Sequence, residues 1–362
     1  MQSEPTRSGR RWLQLVFPLI VLIVLFGFVL PQLIDYAAVW EAITSLSIEA
    51  VLILAGMGIA GSWAEAGIYT SLIPGLGFGP GWRAFLGGNT VAGFAPSPWD
   101  IVVRYAMYRG FGVEGSVAGA SVIVGGGFQV AIAILAPLAF LVVLVTSGQG
   151  TETARTVTAL AIAAAVGAIV VISLILRRES LAASIGRMLQ RAADRVLPWF
   201  KREPPPDLET STVQFRALLV GTLATRWGLS AFFLFLSHTI KYLGMLFLFR
   251  QLGIGADVVS ALELAGVYAV GMFMALMPIV PAGLGAVELT YIWILARDDP
   301  ELADLVAAAT FSHRVFFWLL PILIGIGPLV SWIRGGGSLS GLETEQSFES
   351  LTSSSDDQEG IP

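Results

Sequence analysis

The sequence predicts an all-α polytopic membrane protein with about six spanning helices plus two re-entrant hairpins in an inverted pseudo-repeat. Three observations lead there. Hydrophobic residues make up 55% of the 362 residues and charged residues only 13%, against about 25% charged in soluble domains. Several apolar runs reach the roughly 20 residues that a spanning helix needs. Finally, Pro and Gly clusters interrupt two further apolar stretches at corresponding places in the two halves of the chain.

The composition also narrows the possible chemistry. The chain has no cysteine and two histidines, so it has no disulfide framework, thiolate nucleophile or cysteine metal site. We expect no metal, no other cofactor, no nucleic-acid partner and no enzymatic activity. The net charge of −5 comes from the end of the chain, because residues 335–362 carry six acidic and no basic residues. This segment is predicted to be a disordered, acidic cytoplasmic tail.

Six apolar runs are predicted to span the bilayer: 12–34, 48–73, 114–146, 154–176, 227–249 and 306–333. Arginines before residue 12 and nine basic residues between 177 and 226 place both of these segments in the cytoplasm by the positive-inside rule. The N- and C-termini of a multi-pass plasma-membrane protein would then be cytoplasmic. This alternation holds only if 82–109 and 258–297 each enter and leave on one side, so both are predicted to be re-entrant hairpins.

The same segments suggest a division of the chain. Residues 1–203 form a first membrane half, 204–213 a proline-rich linker, and 214–334 a second membrane half. Within the first half, 179–202 is predicted to be an interfacial helix. Arg187, Arg191 and Arg195 form a basic stripe on it that suits anionic lipid head groups. The alternative is a solvated cytoplasmic helix. A homo-oligomer is also compatible with the sequence.

The two interrupted stretches share a pattern. In the first, Asn89 precedes Pro96 and Pro98, and Asp100 then opens a short helix. In the second, Pro278 and Pro281 precede Gly283 and Gly285, and Glu288 opens the helix. Such paired breaks at membrane depth indicate the binding site of a transporter, because freed backbone groups and helix N-termini make a polar pocket. The alternative is a pair of proline-kinked core helices.

Charged groups at membrane depth are costly and therefore informative. Asp100 and Arg104 are four residues apart and predict either an internal salt bridge or an Arg104 that holds a phosphate. Glu288 is expected to cap its helix, to form a proton- or cation-coupled site, or to pair with Arg314. The predicted substrate-binding residues are Asn89, Pro98, Asp100, Arg104, Gly283, Gly285, Glu288 and Arg314.

Other polar and small residues within the spans have simpler expected roles. His238 and Lys241 are predicted to pair with Glu263 or Glu65. The run Gly125-Gly126-Gly127 is expected to let another helix approach closely, or else to kink its own helix.

Three segments together resemble a known family. The segment from Asn89 through Pro96-Ser97-Pro98-Trp99-Asp100-Ile101-Val102-Val103-Arg104 is similar to the family's Asn-x-x-x-Pro…Gly-Gly-Asp-Val-Val-Arg. Pro281-Ala282-Gly283-Leu284-Gly285-Ala286-Val287-Glu288 resembles its Pro…Gly-Gly-Leu-Gly-x-x-Glu, and Ser312-His313-Arg314 resembles its final Arg-containing helix. The family is the flippase-like transmembrane domain of lysylphosphatidylglycerol synthases, and the chain resembles a stand-alone member. It departs from the family at Gly125-Gly126, where an acid–Arg pair is common, and at Pro98-Trp99, which replace a glycine pair.

The resemblance implies translocation of an anionic phospholipid or a polyprenyl-phosphate-linked lipid between leaflets. Some relatives are linked to polyprenyl-phosphate-dependent glycosylation, so a membrane component of lipid-linked sugar transfer is the second hypothesis. A non-transporting membrane partner protein is the third.

Overall fold

The structure is a computed structural model that describes residues 35–94, 99–146, 177–196, 207–276, 283–296 and 299–337, with residues 167 and 174 standing alone. These residues form eleven α-helices and no strand. The helices are α1 (Tyr36–Thr44), α2 (Ile48–Thr70), α3 (Phe78–Phe94), α4 (Trp99–Gly110), α5 (Gly115–Thr146), α6 (Glu179–Val196), α7 (Leu208–Gln251), α8 (Ala261–Met274), α9 (Ala286–Leu295), α10 (Pro300–Arg314) and α11 (Leu320–Arg334). A π-helical turn, Val315–Leu319, joins α10 to α11.

Four helices are long and apolar enough to cross a membrane: Ile48–Thr70, Gly115–Thr146, Thr225–Gln251 and Pro300–Arg334. They confirm the predicted all-helical membrane architecture and coincide with four of the six predicted spans. The other two predicted spans, 12–34 and 154–176, lie outside the described residues apart from the isolated positions 167 and 174. The total number of spans and the sidedness of the termini therefore stay predictions.

Both interrupted stretches form pairs of short helices. Helices α3 and α4 have 17 and 12 residues, and α8 and α9 have 14 and 10. At 1.5 Å per residue, each is shorter than the roughly 30 Å hydrocarbon core. Helix α3 packs against α4, and α8 packs against α9. The proline-containing breaks between them, 95–98 and 277–282, lie outside the described residues.

The buried apolar side chains form two clusters. The first cluster gathers α2 after Ala64 with α3, α4, α5 and the middle of α7. The second cluster gathers α1, α8, α9, α10 and the end of α7, with Leu54 of α2. Ile240 packs against both. Helices α2 and α7, which pack closely on each other, therefore connect the two clusters.

Glycines let backbones approach closely where these helices cross. A Cβ on Gly325 of α11 would lie 2.3 Å from the carbonyl oxygen of Leu86 in α3. Beside it, Thr90 Oγ1 donates to the carbonyl of Ile322 at 2.8 Å. Gly58 of α2 would place a Cβ 2.2 Å from the carbonyl oxygen of Phe316, in the π-helical turn. Close backbone contact at small residues is a common way for membrane helices to associate.

Helix α7 begins earlier than the predicted linker allows. Asp207 caps it by accepting a hydrogen bond from the backbone N–H of Thr210 at 2.9 Å, and hydrogen bonds from Thr210 lower the pKa of Asp207. Residues 208–213 are consequently the first turns of a 44-residue helix, while 204–206 lie outside the described residues. Helix α6 lies within the predicted interfacial segment 179–202 and packs on α7. Of the predicted tail, only residues 335–337 are described.

The first glycine of the Gly125–Gly127 run allows the expected close approach. A Cβ on Gly125 would lie 2.4 Å from the ring of Tyr69, whereas nothing lies within 4 Å of the corresponding positions on Gly126 and Gly127. Ser121 reinforces this contact by donating to the carbonyl of Tyr69 at 2.8 Å. Of the three glycines, therefore, only Gly125 lies against another helix, and Gly126 and Gly127 face open space.

We expect Gly125→Val to lower the thermal unfolding temperature of the protein in nanodiscs, because the new side chain must displace the Tyr69 ring. Overpacking of this kind costs about 1–3 kcal/mol. Gly127→Val is the matched control and should leave the unfolding temperature close to that of the wild type. Equal losses for the two variants would contradict the packing assigned to Gly125.

Candidate functional site

The predicted site residues lie in two places. Asn89, Asp100 and Arg104 lie on α3 and α4, which contribute to the first cluster. Gly283, Gly285, Glu288 and Arg314 lie around α9 and the end of α10, beside the second cluster. Pro98 lies outside the described residues. The predicted substrate-binding residues that the structure describes therefore fall into two polar groups with different chemistry.

Arg104 is the centre of the first group. Arg104 is buried, with only 4% of the residue exposed. Its Nη2 donates a hydrogen bond to Asn89 Oδ1 at 3.2 Å. The guanidinium carbon lies 4.3 Å from the ring centroid of Tyr69 and 5.0 Å from that of Phe85. A desolvated cation over an aromatic face gains about 2 kcal/mol. Arg104 is thus held by π faces and an amide oxygen.

No ion pair joins Arg104 to Asp100 in the described part of the chain, although the two are four residues apart on α4. Three buried atoms in this region lack a hydrogen-bond partner there: Arg104 Nε, Asp100 Oδ1 and the hydroxyl of Tyr108. Buried polar groups in native proteins are nearly always satisfied. We define Arg104, Asn89, Asp100, Tyr69 and Tyr108 as the Arg104 site.

Two glycines of α3 bring Asn89 and Arg104 together. A Cβ on Gly88 would lie 2.9 Å from the carbonyl oxygen of Asp100, and one on Gly87 would lie 2.4 Å from the sulfur of Met107. Larger residues at 87 and 88 would push α4 away from α3. The glycine pair that precedes Asn89 therefore sets the distance at which the amide reaches the guanidinium.

The second group is built around the ion pair between Glu288 and Arg314. Glu288 is fully buried and accepts from Arg314 Nε at 2.7 Å through Oε1. Its Oε2 accepts from the backbone N–H of Gly285 at 2.6 Å, and Arg314 Nη2 donates to the carbonyl of Gly283 at 3.3 Å. Glu288 is thus both the helix-capping acid and the partner of Arg314. We call these four residues the Arg314 cluster.

The backbone of the Arg314 cluster requires glycine at two positions. Gly283 and Gly285 have φ angles of 63° and 84°, a region that other L-residues rarely adopt. A Cβ on Gly283 would also lie 2.8 Å from the Cα of Ala275. The two glycines turn the chain after the second break so that the N–H of Gly285, just before α9, faces the carboxylate of Glu288.

One cavity lies away from both groups. It has a volume of about 670 Å³, and its lining includes Arg83, Gly110, Phe111, Ser331 and Trp332. The start of α3 and the end of α4 therefore lie beside the same cavity, at the C-terminal end of α11. No predicted site residue lines it. The described residues contain no group of three or more His, Asp or Glu side chains placed to hold a metal ion.

A third polar group was foreseen only in part. Lys241 pairs with Glu65, as the sequence predicted, whereas Gln129 and Tyr268 also join this group and were not singled out. The aromatic rings around Arg104 were missed as well. Aromatic and amide side chains are common in spanning helices, so nothing in the sequence distinguishes the few that contact an ionised group.

Comparison with known families decides the relationship. The sequence model described as the lysylphosphatidylglycerol synthase TM region matches residues 15–325. The chain belongs to this family. The match covers α1 to α10 and the first six residues of α11, and so includes the Arg104 site and the Arg314 cluster together. It confirms the resemblance carried by the segments around Asn89, Glu288 and Arg314. A comparison with curated proteins finds no match.

Membership in the lysylphosphatidylglycerol synthase transmembrane family agrees with a multi-pass membrane protein related to lipid handling. The second motif of the family now has a structural explanation. Its glycines occupy left-handed backbone positions, and its glutamate neutralises the arginine of the final helix pair. The motif thus describes a packed joint between α9 and α10.

We expect Glu288→Gln to destabilise the protein strongly, because it leaves the partly buried Arg314 charged and without its carboxylate. Removing one partner of a buried ion pair costs about 3–5 kcal/mol. The measurement is thermal unfolding in nanodiscs, with Glu301→Gln, an exposed carboxylate at the start of α10, as the control. The double variant Glu288→Gln/Arg314→Gln should recover part of the loss, because it removes both charges. A double variant as unstable as Glu288→Gln alone would argue against the pairing.

Proposed function

We propose that the protein translocates an anionic lipid between membrane leaflets, with Arg104 binding the phosphate of its head group. The supporting observation is that Arg104 is a buried cation with no carboxylate partner among the described residues. Guanidinium groups bind phosphate oxygens through two parallel N–H donors. An anion at Arg104 would add a directly bonded counter-charge, since the carboxylates of Asp100 and Glu65 act on its charge without forming an ion pair with it in the described residues.

The contrast with Arg314 supports this assignment of roles. Arg314 is bound to Glu288 and to the carbonyl of Gly283, so its charge is already neutralised. We infer that Arg314 positions α9 against α10 and that Arg104 contacts the lipid. Asn89 would orient the guanidinium, and the unsatisfied hydroxyl of Tyr108 would donate to a phosphate oxygen. Asp100, which carries an unsatisfied oxygen, would accept from hydroxyl or amine groups of the head group.

The short helix pairs support a transport path of the kind proposed. Arg83 before the middle of α3 and Gly110 at the end of α4 line one cavity, as expected if the pair enters and leaves the membrane on the same side. We propose that α3–α4 and α8–α9 are the two re-entrant hairpins of an inverted repeat. Irregular backbone at their tips would then be tolerated because protein surrounds it.

The substrate class follows from the same chemistry. A phospholipid or a polyprenyl-phosphate-linked lipid offers the phosphate that Arg104 would bind, and its acyl or prenyl chains would stay in the bilayer. Family membership is compatible with either lipid. A role in lipid-linked sugar transfer and a non-transporting partner role are the alternatives, and the experiment below separates them.

Lipid movement should depend on Arg104. In proteoliposomes carrying fluorescent phosphatidylglycerol, the rate at which lipid becomes accessible to an external quencher measures translocation. Hydrogen bonds to charged groups contribute about 1.5–3 kcal/mol, so Arg104→Ala should slow movement by about tenfold or more. Arg104→Lys keeps the charge but loses the two-donor geometry, and we expect an intermediate rate.

The control is Arg178→Ala, an exposed arginine just before α6, which should behave like the wild type. Polyprenyl-phosphate and zwitterionic phosphatidylcholine probes are tested in parallel. If wild type and Arg104→Ala move every lipid equally, the proposed function is wrong. Release of sugar from a lipid-linked donor would instead support sugar transfer, and inactivity in both assays would support a non-transporting partner.

We further propose that α6 rests on anionic lipid head groups. Arg187 pairs with Glu209, and Gly186 contacts the backbone of Leu208 and Glu209, so one side of α6 is held against α7. Met188, Arg191 and Arg195 recur at helical spacing and are exposed. An exposed face that combines an apolar and two basic side chains is typical of interfacial helices.

Hydrogen–deuterium exchange of α6 amides should be slower in nanodiscs of phosphatidylglycerol than in nanodiscs of phosphatidylcholine. Each basic residue near an anionic surface contributes about 1 kcal/mol, so Arg191→Gln/Arg195→Gln should abolish the difference. Identical exchange of the wild-type protein in the two lipids would exclude this surface contact.

A further inference from the structure

Five polar side chains meet where the two hydrophobic clusters join. They are Glu65 of α2, Gln129 of α5, His238 and Lys241 of α7, and Tyr268 of α8. We call this group the junction network. Its neighbours along α2 and α7 divide between the clusters, with Ala64 and Leu234 in the first and Leu54 and Met245 in the second.

The hydrogen bonds of the junction network converge on Glu65. Gln129 Nε2 donates to Glu65 Oε1 at 2.8 Å, and Lys241 Nζ donates to Glu65 Oε2. Since the amide nitrogen of Gln129 faces the carboxylate, its Oε1 accepts from His238 Nε2 at 3.0 Å. His238 Nδ1 is then an acceptor for the hydroxyl of Tyr268 at 3.3 Å. The hydrogen bonds therefore run in one direction, from Tyr268 through His238 and Gln129 to the carboxylate of Glu65.

The charge balance of the network is one anion against one cation. The side chains of Lys241 and Glu65 are 17% and 19% exposed, so neither is sealed by packing. Lys241 Nζ has three N–H donors and uses one of them, on Glu65, within the described part of the chain. Two donors of this ammonium remain available to another anion.

The charged and titratable groups that face the pair lie on four helices, α4, α7, α8 and α10. The positive charges of Lys241 and Arg104 both act on Glu65, and the ring of His238 lies near it. From α10, His313 Nε2 lies 3.0 Å from the carbonyl of Lys241, and from α8 Tyr268 closes the chain. Arg104 of the proposed lipid site on α4 is therefore electrostatically connected to the junction network.

We propose that Glu65 is a proton-binding site that couples proton uptake to the binding of a lipid phosphate. When the head group reaches the exposed part of Lys241, its phosphate takes the place of Glu65 on the ammonium, and Glu65 accepts one proton from the aqueous phase. The O–H bond formed on Glu65 replaces its ion pair, and the phosphate replaces the carboxylate as counter-ion. This inference rests on the proposed function, since it names the ion that accompanies the lipid.

The coupling follows from the position of the pair. Protonation of Glu65 alone would leave Lys241 as an unpaired cation in a low-dielectric region, and phosphate binding alone would set two anions beside one cation. Each event is therefore unfavourable without the other. Linkage requires that the proton raise the affinity for the phosphate by the same factor as the phosphate raises the affinity for the proton. A proton-coupled exchange also needs no metal or nucleotide site.

Proton uptake can be counted directly. Calorimetric titration of the nanodisc-embedded protein with short-chain phosphatidylglycerol, in two buffers of different ionisation enthalpy, gives the protons taken up per lipid bound. We expect about one for the wild type at a pH where Glu65 is ionised, and none for Glu65→Gln, which imitates the protonated carboxyl. Glu301→Gln, an exposed carboxylate, should match the wild type. A parallel titration with inorganic phosphate tests whether a free phosphate suffices or the lipid is required.

The transport arm uses proteoliposomes with a trapped pH indicator and fluorescent phosphatidylglycerol. A pH gradient should change the wild-type rate of net lipid movement at least severalfold and should leave Glu65→Gln unaffected. Lys241→Met is the second variant, and it should lose proton uptake because no ion pair remains to be exchanged. Lipid movement without any proton uptake in the wild type would overturn the coupling and leave the proposed function intact. Failure of the wild type to bind or move any lipid would overturn both.

Discussion

An ionised side chain inside a membrane is energetically costly, so it is usually paired with another group or serves a function. The arrangement of the helices in this protein depends on how its charged side chains meet this constraint. The protein has few charged residues, and the fold treats three of its cations, Arg314, Lys241 and Arg104, differently. Arg314 is neutralised by Glu288, Lys241 by Glu65, and Arg104 by no carboxylate among the described residues. Helix positions, glycine contacts and the turn before α9 all serve these three arrangements.

The two helix pairs have similar sequence patterns, but their acidic residues interact differently with the nearby arginine. In α8–α9 the glutamate turns back to its own helix N-terminus and to the arginine of α10, so the joint is complete. In α3–α4, Asp100 forms no ion pair with Arg104, and aromatic rings and the amide of Asn89 surround the guanidinium instead. One helix pair thereby contributes to a paired arginine and the other carries a buried arginine without an ion-paired carboxylate in the described residues, and the proposed lipid translocation uses the second.

The connection between the halves is polar as well as apolar. Helices α2 and α7 carry residues of both hydrophobic clusters, and the junction network occupies the point where they change from one cluster to the other. A polar contact at such a boundary breaks at less cost than apolar packing on either side, because water or a ligand can replace each hydrogen bond. This placement is the physical basis for assigning a coupling role to Glu65.

The sequence by itself determined the class of protein, because apolar runs and scarce charges leave no alternative to a helical membrane protein. It also identified the residues that matter, since an arginine or glutamate at membrane depth is conspicuous, and it named the family through the segments around Asn89, Glu288 and Arg314. Only the tertiary structure decided which charges pair. An acid four residues before an arginine predicts a bond, yet the Asp100–Arg104 pair is absent, while Glu288 and Arg314 are 26 residues apart in sequence and meet at 2.7 Å. The reason is physical: the sequence gives the spacing along one helix, but a partner is chosen by how neighbouring helices pack, and glycine contacts set that packing.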